Sequence, residues 1–192
     1  ASIDGQSITA GSQLRAGTTS AGVGPVRLLN GTVSVVDAVT LTGAFTQQGG
    51  TLDGPGTLTL AGPVVWNAGT QQGTGQGERT IVTDGLEMTS GTRVLSGRTL
   101  MLASDTQWTG GNWQIRGGAT IVNQPGAVFA FTNTWLDDTD ANMTDTLINE
   151  GTLRKNASTG TAQLEFDLFD LRAGARIESL MGTVDILGSC TS

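Results

Sequence analysis

The feature that most constrains this chain is a short step, glycine, threonine, apolar residue, that recurs at Gly31-Thr32-Val33, Gly50-Thr51-Leu52, Gly56-Thr57-Leu58, Gly151-Thr152-Leu153 and Gly182-Thr183-Val184, with Gly91-Thr92-Arg93 as a degenerate copy. A longer unit overlays on itself three times, from Leu41 through Phe45 to Gly50, from Leu60 through Trp66 to Gly69, and from Leu102 through Trp108 to Gly111. In each copy an aromatic side chain is soon followed by glycine and a polar turn. Between the turns apolar residues alternate with polar ones, as in Leu58-Thr59-Leu60, Val184-Asp185-Ile186 and Leu164-Glu165-Phe166-Asp167-Leu168. That period of two belongs to a strand with one buried face.

Two architectures accommodate a string of such strands. A sandwich of hairpins favours two-residue Asn-Gly or Asp-Gly turns between paired strands. Here whole units of about 20 residues restart with the same step, which favours a parallel β-solenoid whose coils stack about 4.8 Å apart. At about 22 residues per coil the chain predicts eight or nine coils and a rod about 40 Å long. Residues 1–29 fit the pattern poorly and are expected to form a capping coil. Residues 30–192 are expected to be one continuous solenoid domain, since no Pro- or Ser-rich linker divides them.

Composition narrows the function classes. The chain has 192 residues, 29 of them glycine, and contains no histidine. That excludes Ser-His-Asp and Cys-His catalysis, His-ligated zinc and imidazole pH switches. The single lysine, Lys155, and the paucity of helix-forming residues argue against helical folds. Ten basic against 17 acidic side chains give a net charge of −7, so neither nucleic acid nor an anionic membrane is expected as partner. The sequence lacks an apolar run of membrane-spanning length, and no membrane insertion is expected. Cys190, alone in Gly188-Ser189-Cys190-Thr191-Ser192, has no activating neighbour and reads as lying near a chain boundary rather than as a nucleophile.

Leu41-Thr42-Gly43-Ala44-Phe45-Thr46, Trp108-Thr109-Gly110-Gly111-Asn112, Asn149-Glu150-Gly151-Thr152-Leu153-Arg154-Lys155, Ser158-Thr159-Gly160-Thr161 and Gly182-Thr183-Val184-Asp185-Ile186 together resemble a class of repeats in large secreted and cell-surface bacterial proteins. The resemblance spans about residues 30–188. It implies a right-handed parallel β-helix, similar in build to adhesin and autotransporter stalks, and an extracellular or bacterial cell-surface location. The chain departs from that pattern at Met181 and in the acidic insertion after Trp135.

Four groups of residues qualify as sites. The densest set of oxygen ligands is Asp137, Asp138, Asp140, Asn142 and Asp145; alternating Asp138, Asp140 and Asn142 offers the donors that calcium prefers. Met143 and Asn149 stand where an EF-hand needs Gly and Glu, so this is a solvated acidic loop with calcium the one cofactor it admits. Carboxylate pairs drawn from Asp53, Asp84, Asp105, Asp137 and Asp138, with Arg98, Arg116 or Lys155 as cationic help, would suit a polysaccharide hydrolase or lyase. The absent histidine and the adjoining Arg154-Lys155 weigh against that, and the chain is expected not to be an enzyme. Phe45, Trp66 and Trp108 fall at equivalent repeat positions and are expected in the core. Trp113 and Trp135, off that register, are the candidates for exposed glycan contact, with Asn112 and Gln114 supplying hydrogen bonds; Gln71, Gln72 and Gln76 lie in similar polar turns. Thr-x-Thr pairs recur too irregularly for an ice-binding plane, and Arg154 and Lys155 read as a solvated strand face.

The sequence therefore predicts a non-catalytic structural or adhesive module. Its partners would be a glycan or a cell-surface protein, or other copies joined through the solenoid ends.

Overall fold

The computed structural model describes residues 7–8, 11–15, 25–74, 77–132, 134–140 and 143–191. All its regular structure is β, and every strand pairing is parallel. The chain winds as a solenoid of about eight turns. A regular coil carries three strands, one per side. In one of them Val26–Leu28 forms the first side, Thr32–Val35 the second and Val39–Leu41 the third. Some neighbours run continuously round a corner: Phe45–Asp53 supplies both the first and second sides of the following coil before Thr57–Leu60 closes it. The offset between coils varies from 19 residues, where Phe45 lies beside Val64, to 28, where Leu136 lies beside Leu164.

Within each strand alternate side chains enter the rod, and equivalent residues stack into columns. Leu41, Leu60, Val82 and Leu102 form one apolar column on the third side. It continues as Asn123 and Asn149, which turn polar and bond from coil to coil: Asn123 Nδ2 donates to Asn149 Oδ1 at 2.8 Å and Asn149 Nδ2 donates to the Arg176 carbonyl at 3.1 Å, while the buried Asn123 Oδ1 has no partner. A buried amide is tolerated where each coil offers the next a partner. Gln71 and Gln47 make the same kind of rung at 3.2 Å.

The Gly-Thr step marks the corner leading into the second side. At Gly31, Gly50, Gly91 and Gly182, and at the equivalent Gly111, which Asn112 follows, the backbone takes a positive φ, which L side chains avoid, and coils stack there closely enough that a Cβ on Gly111 would sit 2.6 Å from the Ser90 carbonyl carbon. Threonine then opens the strand, where its branched side chain fits the pleated outer surface. Gly56 and Gly151 carry the step onto the third and first sides instead, so the motif signals a corner and not always the same one.

One residue expected outside is inside. Lys155 is fully buried at the end of the column that begins Leu28, Gln47, Trp66. Its ammonium donates to the carbonyls of Ala157, Ser158 and Met181 at 3.0, 2.6 and 2.8 Å. The solvated strand face expected of Arg154 and Lys155 is thus only half present. Arg154 alone faces out, on Glu178 at 2.7 Å. Arg93 and Arg98 are likewise interior, each roofed by backbone carbonyls of neighbouring coils. Desolvation pulls both guanidinium groups down to about 10, still high enough to leave them charged at neutral pH.

Of the capping coil expected at 1–29, residues 1–6, 9–10 and 16–24 lie outside the described residues. Ser7–Ile8 and Ser12–Leu14 pair with the coil that follows, beside Arg27–Leu28 and Val33–Val35. At the opposite end Ile177, Leu180, Met181 and Leu187 are exposed, and Val184 and Ile186 are only partly covered.

Candidate functional site

Trp113 was expected at the surface and is fully buried. The strand Asn112–Arg116 starts immediately after the Gly111 corner, so alternation sends Trp113 and Ile115 inward and leaves Asn112 and Gln114 outside. Inside, Trp113 meets Trp66 edge-on at 5.8 Å, Trp108 at 5.5 Å and Phe129 at 6.0 Å between ring centres. Each such pair contributes about 0.5–1.5 kcal/mol beyond burial, and together they make the core of the middle coils. Phe45, Trp66 and Trp108 are buried as expected. Phe45 is not equivalent to Trp66, however: Phe45 pairs with Val64, and Gln47 is the partner of Trp66.

Trp135 does face water, with 57% of its surface exposed. It opens the strand Trp135–Asp138, which lies one coil above Asn112–Arg116 in a register that sets Leu136 on Trp113 and Asp137 on Gln114. The same alternation that buries Trp113 and Leu136 puts Asn112, Gln114, Trp135 and Asp137 on one outer surface, where they line a shallow depression. An indole face, two amides and a carboxylate offer both an apolar platform and hydrogen bonds in both directions. Gln71, by contrast, is interior, and Gln76 lies outside the described residues.

Around the corner from this surface lies an acidic recess formed by Asp138, Asp140, Glu165 and Asp167, with Asp145 buried beneath it. Asn142, the remaining expected ligand, lies outside the described residues. Asp138 ends its strand and accepts from the Asp140 amide at 3.1 Å. Asp140 Oδ2 accepts from the Gly117 amide at 2.7 Å. Asp145 precedes the strand Thr146–Asn149; its Oδ1 accepts from the Ala119 amide, and its own N–H donates to Asp167 Oδ2 at 2.9 Å. Thr146 lies beside Leu168, which is why residues 22 apart meet. Carboxylate oxygens of Asp138, Asp145 and Asp167 lie within 4.8 Å of one another.

Asp167 and Glu165 were missed as site residues because they read as the polar separators of Leu164, Phe166 and Leu168. The signal that finds Asp167 is its one-coil offset from Asp145, visible only once the register is known. Two of the carboxylates considered from sequence stand on different sides of the rod: Asp53 accepts from the Gly54 amide at 2.6 Å and Asp105 from the Val128 amide at 3.0 Å. Arg98 and Lys155, considered as cationic help, are both interior.

Burial first, then the charges of Asp138 and Asp140, push the Asp145 carboxyl up to about 7, against the opposing hydrogen bond from Ala119. Asp138 and Glu165 move the same way, burial again being the largest cause. In the unfolded chain an aspartate titrates near 3.9, so between about pH 4 and 7 the native state holds the extra proton and stability falls as pH rises. In chelator-containing buffer the melting temperature is therefore expected to be lower at pH 8 than at pH 5, and Asp145→Asn to flatten that slope. A wild-type melting temperature that rises over this interval, or an unchanged slope in the variant, contradicts the assignment.

Compared with protein-family models, with curated proteins and with solved structures, the chain matches none significantly.

Proposed function

We propose that this solenoid is a non-catalytic structural and adhesive module of a secreted or cell-surface bacterial protein: a stiff rod that holds an interaction surface at a set distance. The observation that carries this reading is the run of parallel ladders on all three sides among the described residues, backed by one apolar core. Such a rod resists bending because every coil is hydrogen-bonded to the next along its length.

A second reading, carbohydrate recognition, is favoured by the depression around Trp135. A single large aromatic left exposed on an otherwise polar outer surface, flanked by Asn112, Gln114 and Asp137, has the makeup of a sugar platform. The buried position of Trp113 changes the experiment. Trp135→Ala and Gln114→Ala are the informative variants, since Trp113→Ala would test core packing. A glycan array of the intact chain is expected to show saturable binding that Trp135→Ala weakens at least tenfold while its melting temperature holds. No binding anywhere on the array leaves the rod without a sugar-contact role. Release of new reducing ends from a polysaccharide panel would overturn the non-catalytic reading altogether.

A further inference from the structure

We propose that Asp138, Asp145 and Asp167 form a binding site for one divalent cation of calcium's size and hardness, which ties the end of the strand Trp135–Asp138 and the start of Thr146–Asn149 to the next coil. Calcium binds oxygen at about 2.3–2.6 Å, so ligands on opposite sides of one ion stand nearly 5 Å apart. The three carboxylate oxygens, all within 4.8 Å of one another, fit that limit. All three ligating groups are hard carboxylate oxygens, with no histidine in the chain and no cysteine in the group, which favours calcium or magnesium over zinc or copper.

The second observation is independent of the cluster's acidity. Asp145 is fully buried, its Oδ1 is held by the Ala119 amide, and no N–H or hydroxyl donates to its Oδ2; the Asp138 carboxyl beside it is, when ionised, another acceptor. A buried carboxylate oxygen left unpartnered is costly, and this one belongs to a carboxylate within ligand distance of two others. Neither the Arg154–Glu178 nor the Arg172–Asp170 salt bridge involves these three carboxylates. Asp138 and Asp167 each spend one oxygen on a backbone amide, which orients the carboxylates. Asp140 Oδ1, also buried and unpartnered, stands at the same recess.

The fold explains why these three meet. Asp138 ends a second-side strand beside Ile115, Asp145 begins the third side, and Asp167 sits at the register shift between Glu165 and Leu168 in the next coil. A cation there ties the coil with the widest offset to the one after it. This inference does not rest on the adhesive or sugar-binding reading.

The test is isothermal titration of calcium chloride into the chelator-treated intact chain, with magnesium chloride as comparison. The expected result is one saturable site per chain and a higher melting temperature with calcium present. Asp145→Asn and Asp167→Asn are expected to weaken binding at least tenfold each. Asparagine keeps an oxygen to accept the Ala119 or Asp145 amide, so both variants are expected to melt cooperatively without calcium; Asp138→Asn provides a third variant at a half-buried position. Absence of saturable heat up to roughly 10 mM calcium, beyond the range of weak extracellular sites, overturns the proposal. So does binding that survives unchanged in all three variants.

Discussion

Arg98→Ala is expected to lower the melting temperature by roughly 8–16 °C. The Arg98 guanidinium sits inside the rod and donates to five acceptors: Thr80 Oγ1 at 3.0 Å, the Gly54 and Gln72 carbonyls at 3.0 and 3.2 Å, and the Gly56 and Arg79 carbonyls at 3.1 and 2.8 Å. Those acceptors belong to successive coils, so one side chain staples several turns of the solenoid. Each buried acceptor left unmet costs about 1–3 kcal/mol. Water entering the vacated space would recover part of this, leaving a loss of about 4 kcal/mol; in a domain of this size each kcal/mol lowers the melting temperature by about 2–4 °C. Arg98→Lys is expected to fall between wild type and alanine, because an ammonium has three donors in place of a five-donor fork. Thermal unfolding followed by circular dichroism measures both. A fall of under about 3 °C for alanine would show that the carbonyls find partners elsewhere, and the staple would be discarded.

The second large effect lies at the glycine corner. Gly111→Ala is expected to cost about 3 kcal/mol, and Gly126→Ala only about 1 kcal/mol. Both glycines have positive φ, +78° and +85°, and share the backbone penalty of about 1–2 kcal/mol for an L residue. They differ in what a methyl group would meet. At Gly111 it would collide with Gly91 and would lie 2.6 Å from the Ser90 carbonyl carbon and 2.7 Å from its oxygen, while at Gly126 nothing lies within 4 Å. The difference between the two variants, read from chemical denaturation, therefore isolates the cost of prising adjacent coils apart. Equal losses would mean that the corner tolerates an extra atom and that stacking there is loose.

How much of this was legible depended on whether a residue's role was local or a matter of register. The solenoid was legible because the Gly-Thr step and the alternation of Leu58 with Leu60 are local requirements of corner and strand. The overlay of Leu41, Leu60 and Leu102 was legible too, and these residues share one buried column. Phe45 and Trp66 looked equivalent because each follows its leucine within a few residues; the pairing of Gln47 with Trp66 separates them by one inward position. Trp113 failed for the same reason in a stricter form. A shift of one residue turns every side chain to the other face of a strand, and only the position of the Gly111 corner decides which face Trp113 takes.

The charged residues show where linear reading stops. Nothing local distinguishes Lys155, buried among three carbonyls, from Arg154 beside it on the surface. Asp138 and Asp145 were legible as oxygen donors, but Asp167, one coil further on, was not.

The sequence by itself determined the architecture, because a repeated corner and a period of two leave a chain little choice but to stack parallel coils. It also determined what chemistry is absent, since a chain without histidine cannot use one. Only the tertiary structure decided which indole meets water, which cations staple the interior and which carboxylates meet. Those outcomes depend on the offset between coils, which ranges from 19 to 28 residues and is set by how much loop each corner carries. Side chains come together across that offset, and no single strand contains it.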